Sequence, residues 1–253
     1  GTAGVSGGLS FRSGTTSAGS SGEITFTSGA ATNGKGGDIS LAVGSGNTGI
    51  GGDISASAGS STAATGGSIS LSTGAGRDTS SGSVVVQTVN AGTSGVSGSL
   101  TFSTGTASDG TSGIISFQTG TATNGKGGDF SLVVGSGTDY SGGDLTMVAG
   151  ETTADSSLGG AVGITAGLGS STTGASGGDI SLTAGQGNGA SGGSLSLSTG
   201  NGVAKSSGFI KIQTVDAGVS GISGSLSFSS GTTSKGASGI VSIATGLATH
   251  GRG

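Results

Sequence analysis

The octapeptide Gly37-Asp38-Ile39-Ser40-Leu41-Ala42-Val43-Gly44 returns along the whole chain. It recurs as Gly128-Asp129-Phe130-Ser131-Leu132-Val133-Val134-Gly135 and as Gly178-Asp179-Ile180-Ser181-Leu182-Thr183-Ala184-Gly185. Sixteen copies begin at residues 7, 22, 37, 52, 67, 82, 98, 113, 128, 143, 160, 178, 193, 208, 224 and 239. Most steps are 15 residues, and the longer ones, of 16 to 18, add their extra residues in the second half of the unit. Such a sequence constrains the fold strongly, because one local structure has to be built sixteen times and each copy can cover only its neighbours.

Numbering each unit from its first Gly, positions 3 and 5 are apolar almost throughout, as in Leu9/Phe11, Ile24/Phe26, Leu100/Phe102 and Leu226/Phe228. Position 7 is small or β-branched, and positions 4 and 6 are mostly small or polar. Alternation with period two predicts half-buried strands, and no stretch carries the 3.6 period of a helix. Strands spaced this way fit either a meander of hairpins or the rungs of a coil. The near-constant unit length favours the coil, since stacked rungs need a constant number of residues per turn. The expected fold is therefore all-β, a β-solenoid (β-helix) of about sixteen 15-residue rungs with no helices, running as a single continuous solenoid over 1–253. Positions 9–15, such as Ala30-Ala31-Thr32-Asn33-Gly34-Lys35-Gly36, would form a second, flatter face.

Composition narrows the alternatives. Glycine supplies 62 of the 253 residues, charged residues 8%, and Pro, Cys and Trp are absent. A globular domain carries about 25% charged residues and about 7% Gly, so a core of large side chains is not available. A flexible linker would share the glycine content, but regularly placed apolar residues and the lack of Pro argue for a backbone that hydrogen-bonds. A net charge of −4 argues against a nucleic-acid partner. No apolar run reaches the ~20 residues of a membrane span, and no signal peptide is visible. Without cysteine there are no disulfides or thiolate metal sites.

A longer repeat overlies the short one. Residues 90–100 return as 216–226, and Ala31-Thr32-Asn33-Gly34-Lys35-Gly36 returns as Ala122-Thr123-Asn124-Gly125-Lys126-Gly127 and, nearly, as Ala248-Thr249-His250-Gly251-Arg252-Gly253. Super-repeats span 7–97, 98–223 and, in part, 224–253. Both ends cut through the pattern without a cap, as expected of a window from a longer chain or of ends covered by neighbours.

Position 2 carries Glu23, Asp38, Asp53, Asp129, Asp144 and Asp179. On stacked rungs Glu23, Asp38 and Asp53 would form one carboxylate column, and Asp129 and Asp144 another. Such columns could recruit Ca²⁺, but the favoured reading is a solvated edge that discourages lateral aggregation, so no cofactor is expected. No phosphate-binding loop is present. His250 is the sole histidine and replaces Asn33 and Asn124 of the sister units, where a solvated turn residue is expected. Nothing pairs a serine with His and Asp, so no catalytic residues are assigned and no enzyme is expected.

Several apolar residues break the polar rule at outward positions: Ile114, Phe209 and Ile240 at position 2, Val85 at position 4, and Val133 and Val148 at position 6. They are candidates for lateral contacts between solenoids, or else isolated surface residues of the ordinary kind. No Asn-x-Ser/Thr sequon occurs, while the Ser- and Thr-rich turns can carry O-glycans.

The tracts Gly-Gly-Asp-Ile-Ser-Leu (36–41 and 177–182) and Gly-Gly-Ser-Leu-Ser-Leu (192–197) resemble the Gly/Ser/Thr-rich repeat proteins of cell surfaces and extracellular fibres, of algal (diatom) or bacterial adhesin type. The resemblance implies a secreted structural or adhesive role. A 15-residue coil is also similar to insect ice-binding solenoids, although their regular Thr-x-Thr file is replaced here by pairs such as Ser10/Arg12, Val85/Gln87 and Lys211/Gln213. The expected function is a non-catalytic structural protein of an extracellular filament, fibre or cell-surface stalk. It would self-associate head-to-tail, through open strand edges, and laterally. The alternative is an adhesive solenoid that binds carbohydrate, mineral or ice.

Overall fold

A computed structural model describes residues 4 and 6–249 of the chain. In every complete unit the backbone bends sharply once, three residues at a time: 17–19, 32–34, 47–49, 62–64 and so on to 234–236. In a 15-residue unit the bend is centred on position 12, so position 8 and the next unit's position 1 lie four residues to either side of it. These two residues meet. The Gly37 N–H donates to the Gly29 carbonyl at 3.3 Å, Gly67 to Gly59 at 2.8 Å, and Gly193 to Gly185 at 2.9 Å. Nine junctions are closed in this way. Each pinches positions 8 to 1 into a compact loop whose ends touch.

The closure accounts for two residue choices. At all fifteen junctions the Gly at position 1 faces the position-7 residue of the unit before, so that a Cβ there would meet Ser28 Cβ at 3.1 Å (Gly37), Thr104 Cγ2 at 3.2 Å (Gly113) or Thr199 Cβ at 3.2 Å (Gly208). At most junctions a side chain at position 1 would therefore need a shift of backbone or neighbour, and position 7 stays small or β-branched. Ser28 uses the proximity, its Oγ donating to the Gly37 carbonyl at 2.7 Å.

The loops are of recognisable kinds. Six units carry Gly at position 10 (Gly46, Gly76, Gly137, Gly169, Gly187 and Gly202). There a side chain would collide with carbonyls on the far side of the loop, and all six loops have the closing hydrogen bond. Others carry Ser or Thr at position 10, whose hydroxyl accepts the N–H two residues on: Ala18 to Thr16 at 3.3 Å, Ala63 to Ser61 at 3.4 Å, Ala154 to Thr152 at 3.3 Å and Lys235 to Thr233 at 3.3 Å. A short hydroxyl side chain thus replaces backbone pairing inside the bend. The 17-residue unit from Gly143 absorbs its extra residues in a turn with Ser156 at φ 60° and Ser157 N–H on the Ala154 carbonyl at 3.4 Å.

The chain divides into two units, Gly1–Asp129 and Phe130–Gly253. The first holds the closures from Gly29/Gly37 to Gly74/Gly82 and two edge-to-face aromatic pairs at position 5 of consecutive repeats, Phe11–Phe26 (6.2 Å) and Phe102–Phe117 (6.0 Å). The second holds the closures from Gly135/Gly143 to Gly200/Gly208.

No helix and no β-strand is present among the described residues, so the expected β-solenoid of sixteen rungs is not the fold. Its two faces would need two corners per unit, and the chain has one bend. Across a seven-residue second face, position 8 and the next position 1 would stand about 26 Å apart, but at nine junctions they are within hydrogen-bond distance. Positions 9–15 are loops. Neither is there a ladder among the described residues: each closed junction carries a single backbone hydrogen bond, where paired strands exchange bonds along their length.

No residue among those described is buried, and the accessible surface is 24630 Å². A compact protein of this mass would expose about 9,600 Å² and its extended chain about 33,000 Å². The chain therefore keeps roughly three quarters of its unfolded surface in contact with solvent.

Candidate functional site

With no buried residue among those described, the candidate site is the repeated apolar pair at positions 3 and 5. These residues are only partly covered: Ile24 and Ile115 are 48% exposed, and most of the others are between half and three quarters exposed. Apolar residues at positions 2, 4 and 6 are less covered. Ile114 is 88% and Ile240 90% exposed, and Val85, Val133, Val148 and Phe209 are also strongly exposed. The six proposed interface residues thus lie at the surface, but so does the whole set expected to point inward. The distinction of inside from outside, drawn for a coil, becomes a graded difference in exposure.

The carboxylates of position 2 gather into no group of three or more among the described residues. The closure puts position 1 beside position 7 of the unit before, as Gly37 beside Ser28 shows. Glu23 accepts a hydrogen bond from Thr25 Oγ1 at 2.8 Å. Asp38 pairs with Lys35 at 2.6 Å, and Asp129 with Lys126 at 2.7 Å. Asp53 and Asp144 join no cluster, since no group of three or more His, Asp or Glu comes together among the described residues. His250 lies outside the described residues.

The two Lys–Asp pairs were not anticipated. The signal was the shared Lys-Gly-Gly-Asp sequence at 35–38 and 126–129, in which the glycines leave the two charged groups free to fold toward each other. Both partners are about three quarters solvent-exposed, so screening keeps each pair weak. Lys35→Ala is expected to change stability by less than ~1 kcal/mol and to leave the Gly37–Gly29 closure intact, as the exchange rate of the Gly37 amide proton would show.

No cavity is found among the described residues, and no helix among them is long and apolar enough to cross a membrane. No protein-family model, curated protein or solved structure matches this sequence.

Proposed function

We propose that this chain is a non-catalytic structural protein that associates with copies of itself in an extracellular filament or fibre. The observation that carries the reading is the uncovered apolar pair repeated at positions 3 and 5. Fully burying a Leu, Ile or Phe contributes about 1.5–3 kcal/mol, and here about half of that surface remains in water in unit after unit. Nothing among the described residues supplies the missing cover, and a second copy carries the same pattern at the same spacing. Because the patch recurs, two copies can engage at offsets of one or more repeats. A staggered, heterologous contact of this kind does not close and so grows. Growth through open strand edges, expected for a solenoid, has no counterpart, because no strands are present among the described residues. The resemblance of the Gly-Gly-Asp-Ile-Ser-Leu tracts to cell-surface repeat proteins supports the extracellular placement.

Sedimentation velocity and electron microscopy across a concentration series test the proposal. The expected result is a concentration-dependent shift to elongated, non-closing assemblies. A chain that stays monomeric throughout overturns it, and monomers that instead bind carbohydrate, mineral or ice would assign the apolar repeats to an adhesive role.

A further inference from the structure

The bend of the loop 29–37 is centred on Asn33, and glycine follows it. Asn124-Gly125 occupies the same place in the loop 120–128. Asn188-Gly189 and Asn201-Gly202 share the dipeptide in other loops. We propose that Asn33, Asn124 and Asn188 are sites of spontaneous deamidation, and that the fold of its loop protects Asn201. This inference does not rest on the proposed assembly.

The chemistry needs only water. Hydroxide or another base removes the proton from the backbone nitrogen of the glycine, which attacks the Asn side-chain carbon Cγ. A new N–C bond forms, the bond from Cγ to the amide nitrogen breaks, and that nitrogen leaves as ammonia after taking a proton from water. The resulting succinimide is opened by water at either carbonyl, leaving an aspartyl or an isoaspartyl residue. One water is consumed and one ammonia released, with no change of oxidation state. Glycine in the second place is the permissive residue, because no Cβ obstructs the approach of its nitrogen.

The structure separates the four dipeptides. Nothing lies within 4 Å of where a side chain would begin at Gly34 or Gly189, and only Ala122 Cβ, at 4.0 Å, at Gly125. Gly202, by contrast, is half-buried and wedged against the carbonyls of Lys205 and Ser206. The loops of Asn33, Asn188 and Asn201 are all closed by the same glycine-to-glycine hydrogen bond, and Asn188 Oδ1 accepts from Gln186 Nε2 at 3.1 Å, so the crowding at the following glycine is what sets Asn201 apart. Ring closure rotates the Asn–Gly peptide, and at Asn201 that rotation drives Gly202 into those carbonyls. At Asn33 and Asn124 it meets open solvent. The product also has a local consequence: a new carboxylate two residues from Lys35 or Lys126 competes with Asp38 or Asp129 for the same ammonium group.

The test is peptide mapping by mass spectrometry of the full chain, incubated at mildly alkaline pH with and without denaturing urea. In native buffer, conversion at Asn33, Asn124 and Asn188 is expected to be at least about tenfold faster than at Asn201, equivalent to ~1.4 kcal/mol on the barrier. Urea should raise the Asn201 rate to that of the others. Equal rates at Asn201 and Asn33 in native buffer, or no conversion at any of the three open sites, would overturn the proposal. Gly34→Ala should slow Asn33 alone, which shows that the measured product arises through the glycine nitrogen.

Discussion

Replacing Leu100, Phe102, Ile115 and Phe117 together with serine is expected to leave a chain that stays monomeric where the parent assembles. These residues are about half to two thirds exposed, so a partner can still bury roughly half of each. At about half of the 1.5–3 kcal/mol of full burial, four side chains contribute roughly 3–6 kcal/mol, or two to four powers of ten in an association constant. Sedimentation velocity reads the change directly. Because none of the four is buried within the chain, the circular dichroism spectrum of the monomer should not change. Ile114→Ser is the matched control. It lies beside Ile115 but belongs to the more exposed set, so loss of assembly from this single change would transfer the association to the other face, with Val85, Val133, Val148, Phe209 and Ile240.

The second large effect concerns the closures. Gly202→Ala places a Cβ against the carbonyls of Lys205 and Ser206. The loop must open to admit it, at a cost of about 1–3 kcal/mol, the range for forcing an atom into occupied space. The Gly208–Gly200 hydrogen bond goes with it, so the Gly208 amide proton should exchange roughly tenfold faster or more. Gly34→Ala, with open space around it, should leave the Gly37 amide as protected as before and stabilise slightly, by about 0.4–1 kcal/mol, through the unfolded chain. Equal responses at the two glycines would refute the assignment of Gly202 to the loop interior.

The sequence displayed the period, the unit boundaries and the loops' composition, because these depend on local residue choice. It did not reveal the path between units. A 15-residue repeat with apolar residues at positions 3 and 5 is the same string whether the chain turns once or twice per unit. Alternation marks a segment as able to line a surface, but a strand exists only when a neighbour pairs with it, and such pairing is absent among the described residues. One local clue pointed the right way: position 1 is always Gly and position 7 always small or β-branched. Seen across the bend, these residues are nine apart and sit against each other, as Gly37 does with Ser28. A two-faced coil would put them at opposite corners and would not couple their sizes. The candidate site was half legible. The apolar positions were identified from the pattern, but the carboxylate columns depended on a stacking of strands that is absent among the described residues, and the Lys35–Asp38 and Lys126–Asp129 pairs went unread.

The closed loops also set how the chain responds to tension. Each holds about eight residues of contour within the ~3 Å of one hydrogen bond between two glycines. Such a bond is worth about 1 kcal/mol net, whereas the residues it gathers extend to about 27 Å when pulled straight. Under load the weak closures give way before any covalent bond is strained, each adding length and dissipating a small amount of work. When the load is removed, glycine at position 1 and a small or β-branched residue at position 7 let the same closure form again.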